Sequence, residues 1–293
     1  MNREMGGKVA SGDSSVARAG AGRRSAARGP GRGGFTLVEL LVVMGIIALL
    51  VSLLFPAVTG VMVAVRRAAT ANVINTLGVA LDAFRNDWGV YPPSDNDPTH
   101  DKLNGADTTD GKYGYYNLLF ALTGPDQKGW GASAQGSNKN KGPFGGSATK
   151  AYPPYFLPDK AADMKWLDRD GQKLHWGYVD AFRPGRPIYY YRFEPTDTAD
   201  PPQYDVNDNG TTDSSSSLWN FASKTHFEML VKPADPSGTQ RWVRDDYLLI
   251  SCGADRYWGY VKPPDASGNV TPAQASDLGV ATCDDVANFS YSR

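Results

Sequence analysis

One carboxylate sits inside the longest apolar run of this chain. Glu39 lies within Gly34-Phe35-Thr36-Leu37-Val38-Glu39-Leu40-Leu41-Val42-Val43-Met44-Gly45-Ile46-Ile47-Ala48-Leu49-Leu50-Val51-Ser52-Leu53-Leu54. The aliphatic residues after Phe35 suffice to cross a hydrocarbon core of about 30 Å as a helix. An ionised side chain at that depth is expensive, so an intramembrane Glu is a functional hypothesis by default. Its chemistry there is pairing with a cation. The competing readings are an ordinary anchor that tolerates one acid near its end, or a carboxylate that snorkels to the interface.

Two acidic clusters further on could serve calcium, a hard cation that takes six to eight oxygens. The first, Asp205, Asn207, Asn209 and Asp213, follows the start of an EF-hand loop. Its twelfth position is Ser216 in place of the bidentate Glu, and a solvated Asx-rich turn is the alternative. The second cluster brings Ser251 and Asp255 together with Asp284 and Asp285, with plain surface acids as the alternative. Cys252 and Cys283 flank its two halves. A bridge between them would bring Asp255 within reach of the acidic pair, and a loop of that length gains about 3–4 kcal/mol. Two unpaired thiols remain the other possibility. The three histidines, His100, His175 and His226, have neither metal-ligand nor triad spacing. No glycine-rich phosphate loop stands between a strand and a helix, so the residues point to no enzyme.

The elements that position these groups begin with a leader. Residues 1–34 are rich in Gly, Ala, Ser and Arg and have no apolar periodicity, which reads as a disordered targeting segment. Arg3, Lys8, Arg18, Arg23, Arg24, Arg28 and Arg32 against Glu4 and Asp13 give it a charge of +5. The whole chain carries −1 over 293 residues, so the remainder carries −6, which argues against a nucleic-acid surface. Basic residues abutting the apolar run place the N-terminus in the cytoplasm and the body on the far side. A cleavable secretory signal would have a shorter apolar region, whereas this one continues to Val65. Arg23-Arg24 lies too far from it for a twin-arginine signal.

The stretch Gly34-Phe35-Thr36-Leu37-Val38-Glu39 resembles the class III signal of type IV pilins and type II secretion pseudopilins. The resemblance implies cleavage after Gly34 by a prepilin peptidase and N-methylation of Phe35, with Glu39 as the fifth mature residue and Pro56 as the helix-perturbing proline. It also implies an assembly ATPase, a platform protein and other pseudopilins as partners. The new amine on Phe35 would then be neutralised by a neighbouring subunit's Glu39. Four residues of helix rise about 6 Å, so the pairing favours a stagger of one turn. Glu39 is thereby an assembly register.

Beyond Pro56 the helix is expected to resume, with Val73, Leu77, Leu81 and Phe84 forming a stripe that packs on a sheet. Gly89 and Pro92-Pro93 should end it near Trp88. A long helix over 35–90 therefore divides into a membrane half, about 35–58, and an amphipathic half, about 59–88. The exported domain, 91–293, opens with an irregular insertion at about 94–177, relieved by a short helix at 117–122. The helix close at 84–92 resembles that of the major pseudopilin of type II secretion. The segment from Asp180 to Phe193 is similar to the Asp-Pro-Trp-Gly-x-Pro turn and strand of that family, with Phe182 replacing Trp. Further strands are expected at 227–232 and 247–251. The expected fold is α+β and pilin-like: a long N-terminal helix packed on a small antiparallel sheet, about 187–293, with hairpin connections. Ser251-Cys252-Gly253-Ala254-Asp255 and Asp284-Asp285 look like the family's turn and terminal acidic pair, which hold a structural calcium.

Overall fold

The computed structural model describes residues 34–94, 103–105, 113–157, 164–169, 172–194, 204–209, 224–232, 242–244, 246–255, 257–259 and 283–289. The leader at 1–33, Asp213, Ser216 and His100 lie outside the described residues, as does most of the 195–223 segment. The chain divides into two compact units, Met1–Leu54 and Phe55–Arg293.

The first element, α1 (Leu37–Trp88), is a single helix of 52 residues and runs through position 56 without interruption. It is long and apolar enough to cross a membrane. Its large apolar residues from Phe35 to Val65 are all exposed, from 43% at Val63 to 85% at Phe35. Beyond them the burial pattern changes. Thr70, Ile74, Leu77, Leu81 and Phe84, spaced by four and three, are each 0% exposed. Residues so spaced share one helix face. Val73 is only half-buried; Ile74 takes the place expected of it. The helix ends at Gly89, which adopts φ 84° and donates its N–H to Arg85 O at 2.7 Å. Glycine accepts that left-handed geometry without a Cβ penalty.

The second unit surrounds this face. Helix α2 (Gly114–Thr123) is buried along all but one of its residues. Strands β1 (Trp130–Gly131) and β2 (Ala151–Tyr152) pair antiparallel, and β3 (Met164–Arg169) and β4 (Gln172–Tyr178) form a hairpin with Trp166 opposite Trp176. The main sheet has the order β5-β6-β7, from β5 (Tyr189–Arg192), β6 (Tyr247–Ser251) and β7 (Val286–Ala287). Its pairs are antiparallel, with Tyr189 opposite Ile250 and Ser251 opposite Val286. Helix α3 (Lys224–Val231) lies between β5 and β6 in sequence.

Strand alternation splits the core in two. Tyr190, Tyr247 and Leu249 turn to the α1 face and join Leu77, Leu81, Phe84, Leu118 and Trp130. Tyr189, Tyr191, Leu248 and Ile250 turn the other way and join Phe227, Leu230 and Val231 of α3. A sheet covered on both faces needs apolar residues at successive positions, and all five residues of β6 are buried.

Two expectations are corrected. Residues 227–232 are not a strand: Phe227, Leu230 and Val231 recur at helical spacing, and that face is what α3 buries. The strands of the main sheet are joined by the long connections 193–246 and 252–285, not by hairpins. Within the loop-rich insertion, α2 and two strand pairs form as well, and it supplies part of the core. Its aromatic residues grip the end of α1. Phe84 meets Phe144 at 6.2 Å and Tyr155 at 5.5 Å, and Trp88 meets Tyr152 at 4.5 Å. Trp88 Nε1 donates to Tyr155 Oη at 2.8 Å, and Tyr155 donates to Asp87 Oδ2 at 2.9 Å.

Candidate functional site

Two sites emerge, one at the start of α1 and one where β6 meets β7. At the first, Thr36 stands immediately before the helix and Glu39 is the third helical residue. Glu39 N–H donates to Thr36 Oγ1 at 3.2 Å, while Thr36 N–H and Oγ1 both donate to Glu39 Oε2 at 2.9 Å. This reciprocal exchange is a capping box, which satisfies donors that the first turn leaves open. Thr36 holds the carboxylate at the very start of the helix, one residue from Phe35. The negative charge also complements the positive end of the helix dipole. Oε2 is committed to Thr36, and Glu39 is exposed. Thr36 was legible in sequence as a Thr-x-x-Glu pattern, yet Glu39 alone draws attention there.

The second site is a turn cluster. Ser251 closes β6, and residues 253–255 turn beside the 283–285 segment that leads into β7. Asp284 Oδ2 accepts the N–H groups of Ala254 at 2.7 Å and Asp255 at 3.0 Å. Asp285 Oδ2 accepts from Gly259 at 2.8 Å, and Asp255 Oδ1 accepts from Tyr257 at 2.9 Å. Gly253, at φ 68°, lets the backbone pack directly on Asp284; a Cβ there would collide with that residue's backbone and with Oδ1. Three of the four sequence-derived acid-site residues, Asp255, Asp284 and Asp285, thus converge. The fourth does something else: Ser251 Oγ donates to Asp180 Oδ2 at 2.8 Å.

Asp180 is a buried hub. Its Oδ1 also accepts from Phe182 N–H at 3.2 Å and Arg186 N–H at 3.0 Å, which closes the 180–186 turn onto the end of β6. Burial raises its pKa to about 6. Burial likewise raises Asp255 to about 7, with the Asp284 carboxylate adding to the shift. Asp285 is pushed up by burial, against the N–H of Gly259 and the positive charge of Arg67 on α1. The remaining oxygens, Asp284 Oδ1 and Asp285 Oδ1, are buried and accept no hydrogen bond among the described residues. Such orphaned acceptors suit a cation. Among the described residues, however, no group of three or more His, Cys, Asp or Glu side chains is arranged to hold a metal alone. An ion here would draw most of its ligands from backbone carbonyls and water, as calcium sites commonly do.

Cys252 is buried and Cys283 half-buried, the expected bridge between them is not formed in this structure, and both pack in the apolar cluster behind the sheet. Burial raises the pKa of each. The other acidic loop has a different part. Asn209 Oδ1 accepts from Tyr115 N–H at 2.9 Å and its Nδ2 donates to Tyr190 O at 2.9 Å, tying α2 to β5. Ser94 Oγ donates to Asp208 Oδ2, and Asp205 is exposed. Asn207 falls within a 3₁₀ turn, Val206–Asn209. Both ends of the Asn209 amide are therefore spent on backbone.

The apolar helix, its capped acid and the small antiparallel sheets make up an α+β fold consistent with a pilin-like architecture. Residues 30–55 match the family model described as the prokaryotic N-terminal methylation motif. This is the prepilin-type signal, and the chain carries it across Gly34, Phe35 and Glu39. No curated protein and no solved structure gives a significant match.

Proposed function

We propose that the chain is the precursor of a structural filament subunit of type II secretion. In this reading a prepilin peptidase cuts after Gly34 and the new amine on Phe35 is methylated. The precursor rests in the inner membrane with its N-terminus cytoplasmic and its body periplasmic. A platform protein and an assembly ATPase then draw it, with other pseudopilins, into a periplasmic pseudopilus that supports protein export. The observation that carries this is the methylation motif at 30–55, with Glu39 set at the helix start by Thr36. The exposed apolar surface from Phe35 to Val65 suits first lipid and then neighbouring helices. Replacing Glu39 with Ala tests the proposal: filament recovery should collapse while the membrane level of the subunit holds. Normal filaments from the variant would refute the role of Glu39. A type IV pilus subunit would lose assembly too, and is separated by scoring export of secreted proteins against motility or DNA uptake. A membrane-anchored binding module would work unchanged.

The proposal extends to calcium at the β6–β7 turn, held by Asp255, Asp284 and Asp285 with backbone carbonyls of the Ser251–Asp255 turn. The two orphaned carboxylate oxygens support it. Calcium there would supply charge neutralisation and fix the turn to the C-terminal strand. A Cys252–Cys283 disulfide in the exported protein would fasten the same two segments.

A further inference from the structure

Thr70 marks the point where α1 enters the body. The large apolar residues of the helix are exposed through Val65, Arg66 is half-buried, and Thr70, at 0% exposed, is the first buried residue of α1 among those described. Its Oγ1 accepts the Ala181 N–H at 3.1 Å, across 111 positions of sequence. Ala181 belongs to a closed turn. Asp180 N–H donates to Arg186 O at 2.9 Å, Asp180 Oδ1 takes back the Arg186 N–H, and Phe182 is buried in the α1 core.

The same turn reaches the acidic cluster. Asp180 Oδ2 accepts from Ser251 Oγ at 2.8 Å, and Ser251 Oγ accepts in turn from Gly253 N–H at 3.4 Å. Asp284 packs directly on Gly253. A continuous polar row therefore runs from the acidic turn through Gly253, Ser251, Asp180 and Ala181 to Thr70. Ser251, Asp180 and Thr70 are buried, so water does not replace a lost partner and each bond holds its neighbours in place. A second link is electrostatic. Arg67 lies three residues before Thr70, on the same side of the helix, and its positive charge acts on Asp285.

We propose that this row makes the acidic turn a control point for α1: a divalent cation held at the turn tightens the seat of the helix at Thr70. Coupling between two sites is reciprocal, so the seated helix tightens the cation by the same factor. The inference rests on the calcium reading of the turn, and its physical basis is a contiguous bonded network that joins two elements. Asp180 and Thr70 are positioning residues in this arrangement, since neither belongs to the set that would hold the ion.

Two measurements on the full chain in detergent test it, with Ca2+ alone as the probe. In calorimetric titration, Thr70→Val keeps the side-chain shape but removes the acceptor, and should bind calcium at least about fivefold more weakly than wild type, the low end of coupling between sites. Thr70→Ser, which keeps the hydroxyl, should restore the affinity. Leu77→Val, on the same buried face but outside the row, should bind as wild type does. Ser251→Ala keeps its backbone carbonyl and breaks the row, so adding Thr70→Val to it should weaken binding no further. The reciprocal readout is hydrogen exchange. Calcium should slow the Ala181 amide at least about fivefold in wild type and leave it unchanged in Ser251→Ala. Wild-type affinity in Thr70→Val, equal weakening in Leu77→Val, or a wild-type Ala181 amide indifferent to bound calcium would each overturn the coupling while the calcium reading stands. Should Thr70→Val fail to fold, the wild-type exchange result decides alone. Wild-type chain that binds no calcium would remove the calcium reading and the coupling with it.

Discussion

The joint between α1 and the rest of the body depends on Phe84, and Phe84→Ala measures it. The ring is fully buried and lies against Trp88 at 6.4 Å, Phe144 at 6.2 Å and Tyr155 at 5.5 Å. Neighbours drawn from a helix end and two loops cannot collapse easily into the space it leaves. Truncation of a buried Phe costs about 3–5 kcal/mol. That is a large part of the roughly 5–15 kcal/mol that holds a domain folded. For a body of this size each kcal/mol lowers the melting temperature by about 2–4 °C, so the loss should be about 6–20 °C. The control is Val79→Ala on the same helix, where the side chain is 71% exposed. It should change stability by no more than about 0.5 kcal/mol. The assay is thermal unfolding of the full chain in detergent, followed by near-ultraviolet circular dichroism, which reads the aromatic core and not the helix in the micelle. If the two variants melt together, the insertion does not clamp the helix and the packing argument fails.

Three further expectations concern the acidic turn. Folding raises Asp255 to about 7 and Asp180 to about 6, so the native state takes up protons that the unfolded chain does not hold. In chelator, stability should fall as pH rises from about 4 to 7, because the unfolded state then binds fewer protons. Calcium or Asp255→Asn should flatten the slope, and a melting temperature that climbs across this window would contradict the assignment. Gly253→Ala forces a Cβ onto Asp284 at a left-handed position and should cost about 1–3 kcal/mol in the same melt, with calcium no longer stabilising. A variant as stable and as calcium-responsive as wild type would show that the turn is not tightly held. Mass spectrometry of the exported protein without reductant should find Cys252 linked to Cys283; alkylation of both would dismiss the bridge.

What was legible in the sequence follows from the range of the interactions involved. The helix and its end could be read because aliphatic run, stripe and Gly89 are local signals, and β6 fell at 247–251 as expected. Residues 227–232 misled because a short apolar run reads equally as strand or helix, and only the partner surface decides. The insertion reads as loop from its Gly, Asn and Pro, but that its turns hold Trp130 and Phe144 against the core depends on distant partners and carries no local signal. At the acidic turn, Asp255, Asp284 and Asp285 were nameable in advance. Asp180, which secures Ser251 from 71 positions away in sequence, was not, since nothing local distinguishes a buried hub from a turn acid. The Thr36–Glu39 exchange is the opposite case, a four-residue pattern visible in the sequence.

The central claim is that the chain is a prepilin-like precursor, and the mature N-terminus tests it most directly. Protein isolated from membranes of cells with an active prepilin peptidase should begin at Phe35 with one methyl group on its amine, by intact mass and terminal peptide sequencing. The Gly34→Ala chain should accumulate with the leader attached. Mature protein that keeps residues 1–34, or that starts anywhere other than Phe35, would contradict the account.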